Sequence, residues 1–206
     1  MVDFVVNPAR MALVNIDIQN CFVEGSAPDG LLVLKRINLL SQVCRKAGIV
    51  VFHLRHTLPP SLDPGVLGEI APIVRKGFLN RDSETVAFHR ELIIDDSRDI
   101  LLEKPHFGAF HDTNLELLLR RRGIDTIMVT GIETNVCCET TAREAMVRDF
   151  RVFFLSDGTT TGGVKGMSRE EVQRAALATI GTFFAQVLTV DEMIQKIEVA
   201  SGNVVS

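Results

Sequence analysis

Six short apolar runs, Met11–Asp17, Ile49–Leu54, Ile100–Lys104, Ile124–Thr130, Arg151–Ser156 and Ala185–Val190, punctuate the chain, with helix signals between most of them. Runs that are apolar throughout, rather than alternately apolar and polar, are strands buried on both faces. Buried parallel strands joined by right-handed helical crossovers give a sheet covered on both sides. The expectation is therefore an α/β fold: three α-β-α layers around a doubly wound, six-stranded, mostly parallel sheet. With 206 residues, 46% of them hydrophobic, the chain is long enough for one such core, so residues 1–206 read as a single domain.

The helix signals are specific. Asp29 to Lys46 places Leu32, Leu39, Leu40 and Val43 as its apolar positions and stops at Gly48. Thr113 with Glu116 reads as a capping box opening a helix that closes at Gly123, and Ser168 with Glu171 as another, opening a helix to about Gly181. A short terminal helix starts at Asp191. Between Arg55 and Asp99 the pattern dissolves into Pro59-Pro60, Asp63-Pro64-Gly65 and scattered charges. So long an irregular segment within a compact domain is usually functional.

Composition removes several function classes. A formal charge of −4 gives no electrostatic reason to bind nucleic acid, and the local run Arg120-Arg121-Arg122 suits a solvated helix end, where cations complement the dipole. The apolar runs fall far short of a membrane span, and MVDFVVNPAR lacks the basic flank and apolar stretch of a secretory signal. A soluble, cytoplasmic protein is expected. Cys21, Cys44, Cys137 and Cys138 lack C-x-x-C spacing and read as reduced thiols. Gly162-Gly163 lacks the Gly-Lys-Ser/Thr of a phosphate loop, so it reads as a flexible loop, and no cofactor is expected.

In open parallel sheets, ligands collect beyond the carboxyl ends of the strands. The residues there are Asp17 with Gln19, Asn20 and Phe22; Lys104 with His106, Phe107 and Phe110; and Cys137 beyond Gly131. Cys137 falls where a strand turns into a helix, and a thiol facing the first turn of a helix is biased toward thiolate. Cys138, Ala142, Ala145 and Met146 share one helical face, which suggests that Cys138 is buried. Cys137, about 100° around, can then face the crevice. Cys44 reads as core, and Cys21 as packing or a pocket wall.

Three separated motifs carry a resemblance: Asn15-Ile16-Asp17-Ile18-Gln19-Asn20-Cys21-Phe22, Lys104-Pro105-His106-Phe107-Gly108-Ala109-Phe110, and GIETNVCCETTAREA from Gly131 to Ala145. In their order and placement the chain resembles the isochorismatase-like cysteine hydrolases, which include nicotinamidases, N-carbamoylsarcosine amidohydrolases and ureidoacrylate hydrolases. The resemblance implies strand order 3-2-1-4-5-6 and a triad of Asp17, Lys104 and Cys137. It also implies a cis peptide between Ile132 and Glu133, and an oxyanion hole from the backbone N–H groups of Glu133 and Cys137. Asn20, Phe22 and Phe110 become substrate-binding candidates by motif position. The implied activity is hydrolysis of a non-peptide C–N bond in a small amide, carbamoyl or ureido compound through a thioester, by a homo-oligomer, dimer or tetramer. Two alternatives stand beside it: hydrolysis of a vinyl ether, as by isochorismatase itself, and a non-catalytic thiol sensor or scaffold.

His53 and His56 lie where related nicotinamidases build a metal site, but no aspartate precedes them, and residues three apart in extended chain point apart. No metal is expected. Arg55, Arg75 and Arg81 in the irregular segment could hold a substrate carboxylate, meet solvent or bridge subunits, and the sequence does not choose among these.

Overall fold

Every side chain of the first strand, β1 (Met11–Ile16), is buried, and strand geometry sends successive ones to opposite faces. Ala12, Val14 and Ile16 join one apolar layer while Met11 and Leu13 join the other. The structure, a computed structural model, describes residues 2–202. After β1 the chain runs through α1 (Asn20–Val23), α2 (Gly30–Lys46), β2 (Val50–His56), α3 (Gly65–Ile70), α4 (Pro72–Arg75), β3 (Ile100–Lys104), α5 (Leu115–Arg121) and β4 (Thr126–Ile132). A π-helical turn, Thr134–Cys138, then leads into α6 (Glu139–Met146), followed by β5 (Arg151–Thr160), α7 (Arg169–Phe183), β6 (Gln186–Leu188) and α8 (Val190–Ala200).

The sheet order is β3-β2-β1-β4-β5-β6, and all five pairings are parallel. One face is covered by α5, α6 and α7, through Leu115, Leu119, Ala142, Ala145 and Ile180. The other is covered by α2 and α8, through Leu40, Cys44, Met193 and Ile197. The strand order reverses between β1 and β4, which opens the crevice where ligands bind in such sheets. Gly131 is required at this seam. Its φ is +134°, and a Cβ there would lie 2.1 Å from the Ile16 carbonyl oxygen. No helix among the described residues is long and apolar enough to cross a membrane.

Several local expectations change. In α2 the buried stripe is Val33, Leu34, Ile37, Leu40, Ser41 and Cys44, whereas Leu32 and Leu39 are 53% and 47% exposed. The run Leu31-Leu32-Val33-Leu34 is apolar all round, so its phase is set by what it meets. Ser41 turns inward to accept a hydrogen bond from the buried Asn15 amide (3.2 Å). The capping box at Thr113 does not form. Thr113 does accept from the Leu115 N–H, but the Glu116 carboxylate goes to Arg148 (3.2 Å) and Arg120 instead of reaching back. The box at Ser168 forms, and an unforeseen one at Thr189 and Glu192 opens α8, which shortens the last strand. Segment 55–99 is organised by two short helices, a 3₁₀ turn at Glu84–Val86 and its own core of Leu58, Leu67, Val74, Leu79 and Val86.

Candidate active site

Register brings the strand ends together. Ile16 is level with both Leu54 and Gly131, and His56 is level with Lys104. Asp17, the residue after β1, leaves the strand with φ 55°, a left-handed conformation that aspartate tolerates better than most residues. Its carboxylate and the Lys104 ammonium, both fully buried, are 2.8 Å apart. Lys104 Nζ also donates to the His106 carbonyl (2.9 Å). Cys137 Sγ lies within 4.8 Å of an Asp17 carboxylate oxygen, so the thiol stands beside this buried ion pair. The peptide bond between Ile132 and Glu133 is cis. The Glu133 carbonyl accepts from the N–H groups of Val136 (3.2 Å) and Cys138 (3.1 Å), and Thr141 Oγ1 donates to the Cys137 carbonyl (2.8 Å).

Burial dominates the electrostatics. It pushes the Asp17 carboxyl up despite the pull of Lys104. Burial alone would lower the Lys104 ammonium, but the charge of Asp17 reverses this, so its pKa is raised and it stays protonated. The Cys137 thiol is pushed up by burial, an effect Lys104 only partly offsets and Asp17 reinforces. Burial thus opposes the thiolate expected at a helix start. A helix terminus contributes about 0.3–2 kcal/mol, whereas full desolvation moves a pKa by up to about 3–5 units. The resting sulfur is therefore a thiol. Cys138, packed among Ala142 and Ala145, is buried and also raised. Cys137 lies in the same core, only slightly exposed, with its Sγ beside Asp17 at the carboxyl ends of the strands. Cys44 is core, and Cys21, half-buried beside Phe22 and Phe78, is pushed up to about 12 by burial and by Asp17.

The binding candidates separate. Phe22 packs edge-on against Phe78, between the segment's core and the α2 layer. Asn20 donates its side-chain amide to the Glu84 carbonyl (2.8 Å), so it holds segment 55–99 in place. Phe110 lies in the main core against Phe150, with Arg148 over its ring. Arg55 and Arg81 both bind Glu103 (2.5 Å each), and Arg75 binds Asp63 (3.1 Å), so all three pair within the chain.

Two residues are more important than the sequence suggested. Gln19, fully buried, donates to the carbonyls of His56 (3.1 Å) and Val86 (2.8 Å) and accepts from the His56 N–H (2.7 Å), clamping the segment to β2. His56 is 2% exposed, and a ring nitrogen lies within 4.8 Å of both an Asp17 carboxylate oxygen and Cys137 Sγ. His53 instead bonds Asp99 (3.1 Å) and Asn15 (3.3 Å). The two histidines do not converge. Asp17, His56 and Cys137 each bring a donor atom within 4.8 Å of the others, and the Lys104 ammonium, 2.8 Å from the Asp17 carboxylate, is that carboxylate's counter-charge. Only strand pairing puts His56 beside Lys104, so no local pattern could have shown it.

A family model described as the isochorismatase domain matches residues 11–192. Nicotinamidase 3 of Arabidopsis thaliana is 34% identical over 189 residues, covering 91% of this chain and 88% of the relative. A ureidoacrylate amidohydrolase of Methylobacterium radiotolerans is 30% identical over 210 residues, covering 88% of this chain and 77% of the relative. Among solved structures, a cysteine hydrolase from Pseudomonas syringae pv. phaseolicola superposes with a TM-score of 0.89 at 34% identity, covering 97% of each chain.

Proposed function

The chain belongs to the isochorismatase family of hydrolases, and on that basis we propose that it is a cysteine-dependent amidohydrolase acting on a small amide, carbamoyl or ureido compound. The observation that carries this is the fully buried Asp17–Lys104 pair with the Cys137 thiol within 4.8 Å of the Asp17 carboxylate. Because the resting sulfur is protonated, a base must act as it attacks, and Asp17, whose proton affinity burial has raised, is that base. Sulfur adds to the carbonyl carbon while Asp17 takes the thiol proton. The backbone N–H groups of Glu133 and Cys137 receive the oxyanion, and Lys104 stabilises the developing negative charge. Collapse breaks the C–N bond, the nitrogen takes the proton from Asp17, and ammonia or an amine leaves behind a thioester. Water, deprotonated by Asp17, hydrolyses the thioester to an acid and restores the thiol.

Phe22 is a pocket-wall candidate by motif position, and Phe107 packs edge-on against the His56 ring beside the site. With Arg55, Arg75 and Arg81 all paired within the chain, an uncharged substrate body is favoured over a carboxylate. We take residues 1–206 as one cytoplasmic domain that self-associates. Exposed Leu62, Val66, Ile70 and Ile73 on segment 55–99 support an assembled state, and light scattering tests it.

The test of the activity is ammonia release from primary amides, N-carbamoyl compounds and ureido compounds. Release by the parent protein and none by Cys137→Ala is expected. Equal release by both would overturn the assignment.

A further inference from the structure

We infer that Nε2 of His56 is the acceptor that recognises an N–H of the substrate's amide, so the site selects amides carrying at least one N–H over isosteric esters. The inference rests on the amidohydrolase reading above and adds its specificity determinant.

His56 is buried in register with Lys104, with a ring nitrogen within 4.8 Å of both Asp17 and Cys137. The edge-to-face ring of Phe107, 5.9 Å away between centroids, packs against it. The Pro105 backbone favours a proton on the ring, while Nε2 has no hydrogen-bond partner among the described residues. A neutral imidazole with one nitrogen donating offers the other as an acceptor. An unpaired buried polar atom is uncommon and costly, so one beside a reacting group points to a partner that arrives with the ligand.

The alternatives for Nε2 are weaker. Burial, with Lys104 close by, pushes the imidazole down to about 3, so His56 accepts a hydrogen bond but is too weakly basic to carry the thiol proton. The titratable groups near the ring are Lys104, a donor only, Asp17, ion-paired with Lys104 at 2.8 Å, and His106. In a primary amide the carbonyl oxygen goes to the backbone donors, leaving N–H groups that need acceptors when water is excluded. His56 supplies one. An ester presents a lone pair to Nε2 instead and is disfavoured.

The probes are N-methyl-2-iodoacetamide and methyl iodoacetate, which have the same shape and differ by N–H against O. Alkylation of Cys137 is followed by peptide mass spectrometry, and the amide-to-ester rate ratio is divided by the same ratio for glutathione. The parent protein is expected to favour the amide about tenfold, the effect of one net hydrogen bond. His56→Leu should bring the ratio near one, and His56→Gln, which keeps an acceptor, should retain part of it. A ratio near one in the parent protein refutes the inference even if a variant does not fold, as does an unchanged ratio in folded His56→Leu. Failure of both reagents at Cys137 would instead overturn the nucleophile assignment, and this inference with it.

Discussion

Replacing Lys104 by methionine removes one half of an ion pair whose two members are fully buried and 2.8 Å apart. The long apolar side chain fills most of the space, so the loss is chiefly electrostatic: the Asp17 carboxylate is left in an apolar interior without its counter-charge. Breaking a buried pair from one side costs about 3–5 kcal/mol, a large part of a stability of about 5–15 kcal/mol. With a urea dependence of about 2 kcal/mol per molar, the unfolding midpoint should fall by roughly 1.5–2.5 M. Asp17→Asn alone should also destabilise, because it strands the ammonium with only the His106 carbonyl as a partner. The double variant Asp17→Asn/Lys104→Met carries no stranded charge and should be more stable than Lys104→Met alone, a coupling of about 2 kcal/mol or more. Equilibrium urea unfolding of the four proteins measures this. A midpoint shift in Lys104→Met below about 0.5 M, or strict additivity in the double variant, would refute the argument that these charges depend on each other for burial.

Two further outcomes follow from the same geometry. Because burial raises the Cys137 thiol, its alkylation by iodoacetamide should climb about tenfold per pH unit from pH 6 to 9 with no plateau, and should slow further in Lys104→Met, where the ammonium that favours thiolate is gone; a plateau below pH 8 would show a ready thiolate and refute the argument that burial governs this sulfur. Gly131→Ala should cost several kcal/mol or abolish soluble expression, since its Cβ would meet the Ile16 carbonyl at 2.1 Å in a backbone conformation that L-residues avoid. Solubility and thermal unfolding of that variant, against Gly166→Ala where no atom lies within 4 Å, check this.

What the sequence determines by itself is whatever depends on neighbours along the chain. Apolar runs fix where strands lie, because a buried strand must be apolar throughout, and β1, β4 and β5 sit where such runs occur. Ser168 and Glu171 mark a helix start because the capping bonds span three residues. Asp17, Lys104 and Cys137 are conspicuous because each follows, or ends, a run whose carboxyl end must open on a crevice. The motifs around them were enough to show the family.

Tertiary structure decides whatever depends on segments far apart in sequence. The phase of α2 was undetermined while Leu31 to Leu34 were apolar all round, and contact with Asn15 through Ser41 set it. The charge state of Cys137 turns on desolvation by distant strands, which outweighs the helix terminus visible in the sequence. Arg55 and Arg81 are held by Glu103. Asn20 serves segment 55–99, and His56 stands beside Lys104 only because β2 and β3 pair in that register. Local pattern fixes period and caps; burial and register are properties of pairs of segments, and they exist only once the chain has folded.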